Sequence, residues 1–188
     1  GCGLGSERET SELVSNLLLR DGLNLPPTIL DADALNILAE SDRWSERVGN
    51  PAVLTPHPGE MSTLTGKKVS EIQSDRQHFC RYYAQKWNTT IVLKGANTVI
   101  SSPSGETWVS PWADPVLSAA GTGDVLSGLI AGFVAQGISV KESAILSVYV
   151  HGLAGEQFSK TVAGSGMFAS DLLGLVPTCI ESLKEENP

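Results

Sequence analysis

The chain has 188 residues, which is enough for one compact domain and short for two. Hydrophobic residues make up 41% and charged residues 18%, a balance typical of a folded globular protein and not of a disordered one. The formal net charge of −8 argues against a nucleic-acid-binding surface, which needs clustered Lys and Arg. Three widely separated cysteines match neither a metal-ligand spacing nor a disulfide framework, and they indicate a reducing, cytoplasmic setting.

The uncharged run 125–140 and the first residue of the chain each need an interpretation. The uncharged run 125–140 is interrupted by polar residues and glycines and is shorter than the ~20 apolar residues of a membrane span, so it predicts a buried helix. The first residue is Gly1, inside a glycine-rich stretch, and we therefore expect an N-terminal part to be missing. Residues 1–188 are interpreted as a single domain.

Helix and strand signals alternate at the start of the chain. Ser6 followed by Glu9 has the spacing of a capping box, which predicts that a helix begins there. The apolar run 28–30 predicts a buried strand that ends at Asp31. A short helix is predicted next, and Asp31 and Asp33 are interpreted as its caps.

The alternation continues to about residue 100. Short apolar runs at 52–54 and 90–93 predict two more strands, and apolar residues recur at helical spacing over 79–87. This order predicts an α/β fold with a largely parallel sheet. A hairpin is then predicted within 98–109, and about three helices from Thr122 onward.

Polar side chains follow each of the three predicted parallel strands. Asp31, His57 and Lys94 are therefore expected on one rim, where such sheets bind ligands. Lys94 alone is typical of a solvated strand end, but the stretch 94–98 offers polar contacts for a nucleotide's phosphate or ribose. Prolines on both sides of His57 predict a tight turn that holds His57 and Glu60 together; a plain surface turn is the alternative.

Glycines precede the apolar helix in Ala120-Gly121-Thr122-Gly123-Asp124. A helix N-terminus reached through glycines presents free N–H groups and the positive end of the helix dipole, which suits a phosphate. Asp124 has two interpretations there. It is either the N-cap of the helix or a general base that takes a proton from a hydroxyl.

These motifs together resemble those of the ADP-dependent NAD(P)H-hydrate dehydratases. The resemblance spans nearly the whole chain and rests on six motifs in the family's order: Gly-x-Gly-Leu-Gly (1–5), Leu-Asp-Ala-Asp-Ala-Leu-Asn (30–36), Leu-Thr-Pro-His-Pro-Gly-Glu (54–60), Leu-Lys-Gly-Ala-Asn-Thr (93–98), Ala-Gly-Thr-Gly-Asp-Val-Leu-Ser-Gly (120–128) and Ala-Ser-Asp-Leu (169–172). In two respects the chain departs from the family: Cys2 stands where proline is usual, and the family's N-terminal strands and helices have no counterpart.

The resemblance implies a ribokinase-like fold, a three-layer α/β/α arrangement with a mainly parallel sheet. It also implies dehydration of the S form of hydrated NADH or NADPH, with ADP as co-substrate and AMP and phosphate as products. Asp124 is then the catalytic base and a substrate contact, and Gly3 and His57 are further substrate contacts. Glu60 is the residue expected to organise Mg²⁺. The implied nucleotide contacts are Lys94, Gly95, Ala96, Asn97, Thr98, Gly121, Thr122 and Gly123.

The resemblance further implies ADP rather than ATP as the nucleotide, because His57 stands where ATP-using relatives tend to carry asparagine. A homo-oligomer, specifically a tetramer, is implied as well. Two alternatives stay open. One is a small-molecule kinase of the same fold, acting on hydroxyethylthiazole or hydroxymethylpyrimidine; the other is an inactive nucleotide-binding module.

Overall fold

The computed structural model describes residues 1–19, 25–48 and 52–185. Helices and strands alternate through the first half, and helices dominate the second. The described elements are, in chain order, α1 (Arg8–Leu18), β1 (Thr28–Leu30), α2 (Asp33–Ala39), α3 (Trp44–Arg47), β2 (Ala52–Leu54), α4 (Pro58–Thr65), α5 (Val69–Ser74), α6 (Arg76–Lys86), β3 (Thr90–Leu93), β4 (Val99–Ser101), β5 (Thr107–Val109), a 3₁₀ turn (Pro115–Ser118), α7 (Thr122–Ala135), α8 (Val140–Thr161) and α9 (Ala169–Glu185).

One sheet organises these elements, with its strands in the order β1-β2-β3-β4-β5. β1, β2 and β3 pair in parallel, and β4 pairs antiparallel with both β3 and β5. Only β4 therefore runs against the others in the described sheet. The strands predicted at 28–30, 52–54 and 90–93 and the hairpin are confirmed, with β4 beginning at Val99.

Helices cover both faces of the sheet. On one face Leu54, Ile91 and Leu93 pack in a cluster with α1 to α6, and on the other Val53 and Val92 pack against α7 and α8. This alternation follows from the two-residue period of a strand, and the uniformly apolar strands reflect burial on both faces. The three-layer α/β/α prediction is confirmed. Among the described residues, no helix combines the length and apolarity needed to cross a membrane.

Three predicted caps are wrong. Glu7, not Ser6, is the N-cap of α1, and no side chain caps that helix. The N-cap of α2 is Ala32, again without a side-chain cap. Asp31 and Asp33 do not cap α2, because the Asp31 carboxylate binds Lys94 and the Asp33 carboxylate accepts a hydrogen bond from the Gly5 N–H.

Candidate active site

Lys94 lies at the centre of the site, between two carboxylates. Its Nζ is 2.7 Å from Asp31 Oδ1 and 3.7 Å from Glu60 Oε2. The side chains of Asp31 and Glu60 are only 5% and 8% exposed, and that of Lys94 is 18% exposed. The expectation that Asp31 and Lys94 share a rim is confirmed, and the interpretation of Lys94 as a solvated strand end is wrong.

Asp31 connects the sheet to α7. Its Oδ2 accepts a hydrogen bond of 2.9 Å from Ser127 Oγ. Burial raises the pKa of the Asp31 carboxyl, but the hydrogen bond and charge of Lys94, with hydrogen bonds from Thr55 and Ser127, bring that pKa below its usual value. The carboxylate is therefore ionised at neutral pH and balances the Lys94 ammonium.

His57 begins a helix rather than a simple turn. Its Nδ1 accepts hydrogen bonds from the N–H groups of Gly59 (3.0 Å) and Glu60 (3.1 Å), and its own N–H donates to Glu60 Oε2 at 2.7 Å. This is a capping box for α4, with Pro58 in the first helical position. Because Nδ1 accepts, the proton of a neutral His57 lies on Nε2, 3.4 Å from Glu60 Oε1.

The loop 94–98 is held on several sides. The Asn97 N–H donates to the Trp112 carbonyl at 2.9 Å, and its amide Nδ2 donates to the Ser110 carbonyl at 3.0 Å. From behind the loop, the Arg76 guanidinium donates to its backbone carbonyls. Sequence reasoning missed Arg76, because an arginine in the first turn of a helix usually signals nothing more than a charged surface.

The N-terminus of α7 lies directly beside Lys94. Gly121 is its N-cap with a φ of 86°, a conformation that favours glycine. A β-carbon added at Gly123 would be 3.4 Å from Lys94 Nζ, so the ammonium lies against the first helical turn. Asp124 is the third residue of α7, is exposed, and caps nothing, so its interpretation as the N-cap is wrong.

A cleft of about 550 Å³ opens in front of this helix end. His57 lies in its wall together with most of the residues expected to contact the nucleotide, which are Lys94, Gly95, Ala96, Thr98, Thr122 and Gly123. Gly121 and Asn97 are outside that lining, and Asn97 supports the loop instead. The geometry thus groups six of the eight expected contacts around one cavity.

Two further residues, Trp112 and His151, lie in the cleft wall and were not among the predicted site residues. The Trp112 ring packs edge-on against Tyr149, with centroids 4.6 Å apart. His151 is buried in α8, and its Nε2 donates to the Thr122 carbonyl at 2.9 Å. Burial lowers the pKa of His151, so the ring is neutral while it supports the first turn of α7. The signal in the sequence for this contact was Gly152, a glycine inside a helix. The structure explains the glycine, because a β-carbon there would collide with the Trp112 ring.

Asp124 lies on a different side of α7 from the cleft. It borders a depression between α7 and α9, and its carboxylate, beside the Cys2 thiol, raises the pKa of that thiol. The loop 1–5 is also tied to Asp33 through the Gly5 N–H at 3.0 Å. Gly3, with a φ of 71°, therefore belongs to a loop that lies next to Asp124. The first turn of α7 separates the cleft from this loop.

The family model described as NAD(P)H-hydrate dehydratase matches residues 1–178. The chain belongs to this family. The bifunctional NAD(P)H-hydrate repair enzyme Nnr of Moorella thermoacetica is 41% identical over 186 residues, which cover 99% of this dehydratase-family chain and 34% of the relative. The chain thus spans about a third of that relative's length.

Two solved structures resemble this member of the NAD(P)H-hydrate dehydratase family. The ADP/ATP-dependent NAD(P)H-hydrate dehydratase of Bacillus subtilis, co-crystallised with ATP and Mg²⁺, is 35% identical with a TM-score of 0.75; the match covers 83% of this chain and 55% of that one. A ribokinase-like superfamily protein of Enterococcus faecalis is 26% identical with a TM-score of 0.75, covering 96% and 61%. The predicted ribokinase-like fold is confirmed.

The residues near Glu60 do not fit a protein-held Mg²⁺. The described residues contain no group of three or more His, Cys, Asp or Glu side chains that could hold a metal ion. Both Glu60 oxygens face hydrogen-bond donors: Oε2 faces the His57 N–H, and Oε1 faces the His57 ring. The Lys94 ammonium lies between the Asp31 and Glu60 carboxylates. Mg²⁺ prefers free carboxylate, phosphate and water oxygens in octahedral geometry.

Proposed function

We propose that this chain carries the nucleotide and substrate sites of an ADP-dependent dehydratase that acts on the S form of hydrated NADH or NADPH. The observation that carries the proposal is the position of the Lys94 ammonium against Gly123 at the start of α7. A cation and a helix N-terminus then face one cleft, as a nucleotide's phosphates require. Asp124 projects from the same helical turn toward the loop 1–5, so we place the substrate hydroxyl at the N-terminal end of α7, between this carboxylate and the phosphates.

The proposed reaction has two steps. First, the C6 hydroxyl of the hydrated ring attacks the terminal phosphorus of ADP. A new O–P bond forms, the bond to the bridging oxygen breaks, AMP leaves, and Asp124 takes the hydroxyl proton. Second, the C6–O bond breaks as phosphate departs, and a proton passes from the adjacent ring carbon to water, which restores the double bond of NADH or NADPH.

The side chains divide this work between binding and proton transfer. Lys94 and the N–H groups at the start of α7 neutralise charge on the transferring phosphoryl group. Gly121, Thr122 and the loop Gly95, Ala96, Asn97 and Thr98 form or support the nucleotide cleft. His57 and Gly3 are proposed to contact the hydrated cofactor. A homo-oligomeric state, in the form of a tetramer, and a cytoplasmic location complete the proposal.

The test is to incubate the protein with hydrated NADH, Mg²⁺ and either ADP or ATP. Recovery of the absorbance of reduced nicotinamide should depend on nucleotide, be faster with ADP, and release one AMP and one phosphate for each NADH formed. Binding of ADP without any turnover would instead select an inactive nucleotide-binding module. Phosphorylation of hydroxyethylthiazole or hydroxymethylpyrimidine would select the kinase.

A further inference from the structure

Arg76, the first residue of α6, contacts the loop 94–98 from the side away from the cleft. Its Nη2 donates to the carbonyls of Leu93 at 2.9 Å and Lys94 at 3.2 Å, and its Nη1 donates to the carbonyl of Ala96. A single guanidinium therefore binds three carbonyls at the end of β3. Planar, forked donors of this kind fix the geometry of their acceptors more tightly than a lysine can.

These contacts leave free N–H groups in the loop but pair the carbonyl groups beside them. The fourth carbonyl of residues 93–96, that of Gly95, accepts a hydrogen bond from Thr98 Oγ1 at 3.0 Å. All four carbonyls from 93 to 96 thus have partners within the protein. In the part of the chain that the structure describes, the N–H groups of Gly95 and Ala96 have no acceptor, and both residues are exposed in the cleft wall. Over residues 93–96 the chain thus has free donors and no free acceptor beside the cleft.

The position of Arg76 is unfavourable for a merely structural arginine. A positive charge in the first turn opposes the helix dipole of α6. Its Nε is buried, with no hydrogen-bond partner among the described residues, and burial lowers the pKa of the guanidinium. Residues that break local rules without a local gain tend to mark functional positions. Here the arginine stabilises the loop instead of its own helix. Gly95 has a φ of 140°, and a β-carbon added to Gly95 would be 3.0 Å from Arg76 Nη2.

We propose that Arg76 is a positioning residue for the nucleotide's phosphate groups, which acts by holding the carbonyls of Leu93, Lys94 and Ala96 away from the cleft. Carbonyl oxygens that turned toward a bound phosphate would repel it, whereas the N–H groups of Gly95 and Ala96 attract it. Arg76 itself touches no ligand. The inference rests on the proposed function, because it takes the cleft to be the site of ADP.

The test compares Arg76→Gln with Arg76→Lys and with Arg81→Gln as a matched control. Arg81 is on the same helix, but its Nε donates to Thr107 in the hairpin rather than to the loop. Calorimetry should show ADP affinity reduced about tenfold or more in Arg76→Gln, by loss of charge-assisted hydrogen bonds. Arg76→Lys should fall between, and Arg81→Gln should bind ADP normally.

Two readouts separate positioning from general destabilisation. The KM for ADP should rise in Arg76→Gln while the KM for the hydrated cofactor stays constant, and amide exchange at residues 95 and 96 should accelerate more than in α8. If Arg76→Gln does not fold, Arg76→Lys carries the comparison. Normal ADP affinity in a folded Arg76 variant would overturn this inference alone. Failure of the unchanged protein to bind ADP would overturn it together with the proposed function.

Discussion

Asp124 is the residue on which the proposed chemistry depends most directly. Because it caps no helix and is exposed, Asp124→Asn should change the melting temperature little. Asn cannot accept the proton, however, and a positioned base contributes ~10²–10⁴-fold in rate. Turnover of hydrated NADH should therefore fall at least about a hundredfold, while ADP affinity measured by calorimetry is mostly retained.

Asp171→Asn is the matched control, because Asp171 is also the third residue of its helix. There the carboxylate does accept a hydrogen bond from the Phe168 N–H, at 2.8 Å. Because the amide oxygen of Asn still accepts this hydrogen bond, the variant should lose only the charge–dipole contribution, about 0.3–1 kcal/mol of unfolding free energy, and keep its turnover. Near-normal turnover in Asp124→Asn would mean that Asp124 does no chemistry.

Lys94 combines nucleotide binding with a buried ion pair, and two substitutions separate the two roles. Lys94→Met should lose about 3–5 kcal/mol of unfolding free energy, because the Asp31 carboxylate is left buried without a counter-charge. Adding Asp31→Asn should restore much of that stability. The double variant should still bind ADP more than about tenfold more weakly, since the charge-assisted hydrogen bond to phosphate is absent. Urea denaturation and calorimetry measure the two effects, and normal ADP affinity in the double variant would reduce Lys94 to an ion-pair partner.

The roles of single residues were the least predictable from the sequence. Asp31 meets Lys94 across 63 positions and Ser127 across 96, and Arg76 meets Ala96 across 20. Such contacts depend on how strands and helices are arranged, which local patterns do not encode. Asp31 was therefore interpreted as a cap, the commonest use of an aspartate ahead of a helix. Lys94 and Asp124 were predicted as site residues because motif resemblance supplied what the local pattern left open.

At the scale of elements, the fit of α8 against the cleft wall depends on a glycine. A β-carbon at Gly152 would be 2.4 Å from the Trp112 ring, so Gly152→Ala must displace that ring. Overpacking of this kind typically costs about 1–3 kcal/mol, more than the ~1 kcal/mol that alanine gains in a helix interior. We expect lower stability in urea and weaker ADP binding, because Trp112 also holds Asn97 through its backbone carbonyl.

Gly128→Ala in α7 provides the control. A β-carbon there meets nothing within 4 Å among the described residues, so this variant should gain about 0.5–1 kcal/mol. Equal stability changes in the two variants would show that the Trp112 ring moves aside freely.

Element prediction succeeded where the signal was local. Apolar runs at 28–30, 52–54 and 90–93 each formed a strand, because burial on both faces of the sheet makes the whole run apolar. The segment around His57 was harder. Its prolines and glycine are typical of a turn, but Pro58 and Glu60 occupy the first and third positions of α4. Ser6 shows the opposite error, a capping spacing that the helix does not use.

At the scale of the whole molecule, the sheet brings the ends of β1, β2 and β3 to one edge and places α7 across it. The sequence alternation predicted the layers, the polar residues after the strands predicted which edge binds a ligand, and the resemblance to the dehydratases implied that this ligand is a nucleotide. Neither the sequence pattern nor the resemblance predicted that the cleft and Asp124 lie on different sides of the first turn of α7. That division follows from the 100° step between helical neighbours, since Gly123 faces Lys94 while Asp124 faces the loop 1–5.

The overall charge of the protein bears on the choice between ADP and ATP. The protein carries a formal net charge of −8, and among the described residues that line the cleft Lys94 is the one ammonium or guanidinium. ATP brings more negative charge than ADP to this single cation, so ADP should bind more tightly at low ionic strength. ADP at about a hundred times its Kd contributes ~2.7 kcal/mol, which should raise the melting temperature by roughly 5–10 °C. AMP should give a smaller shift, because it lacks the second phosphate that Lys94 and the start of α7 are proposed to bind. The difference between ADP and ATP should narrow as salt screens the long-range repulsion, and an ATP shift that exceeds the ADP shift at every salt concentration would contradict the preference.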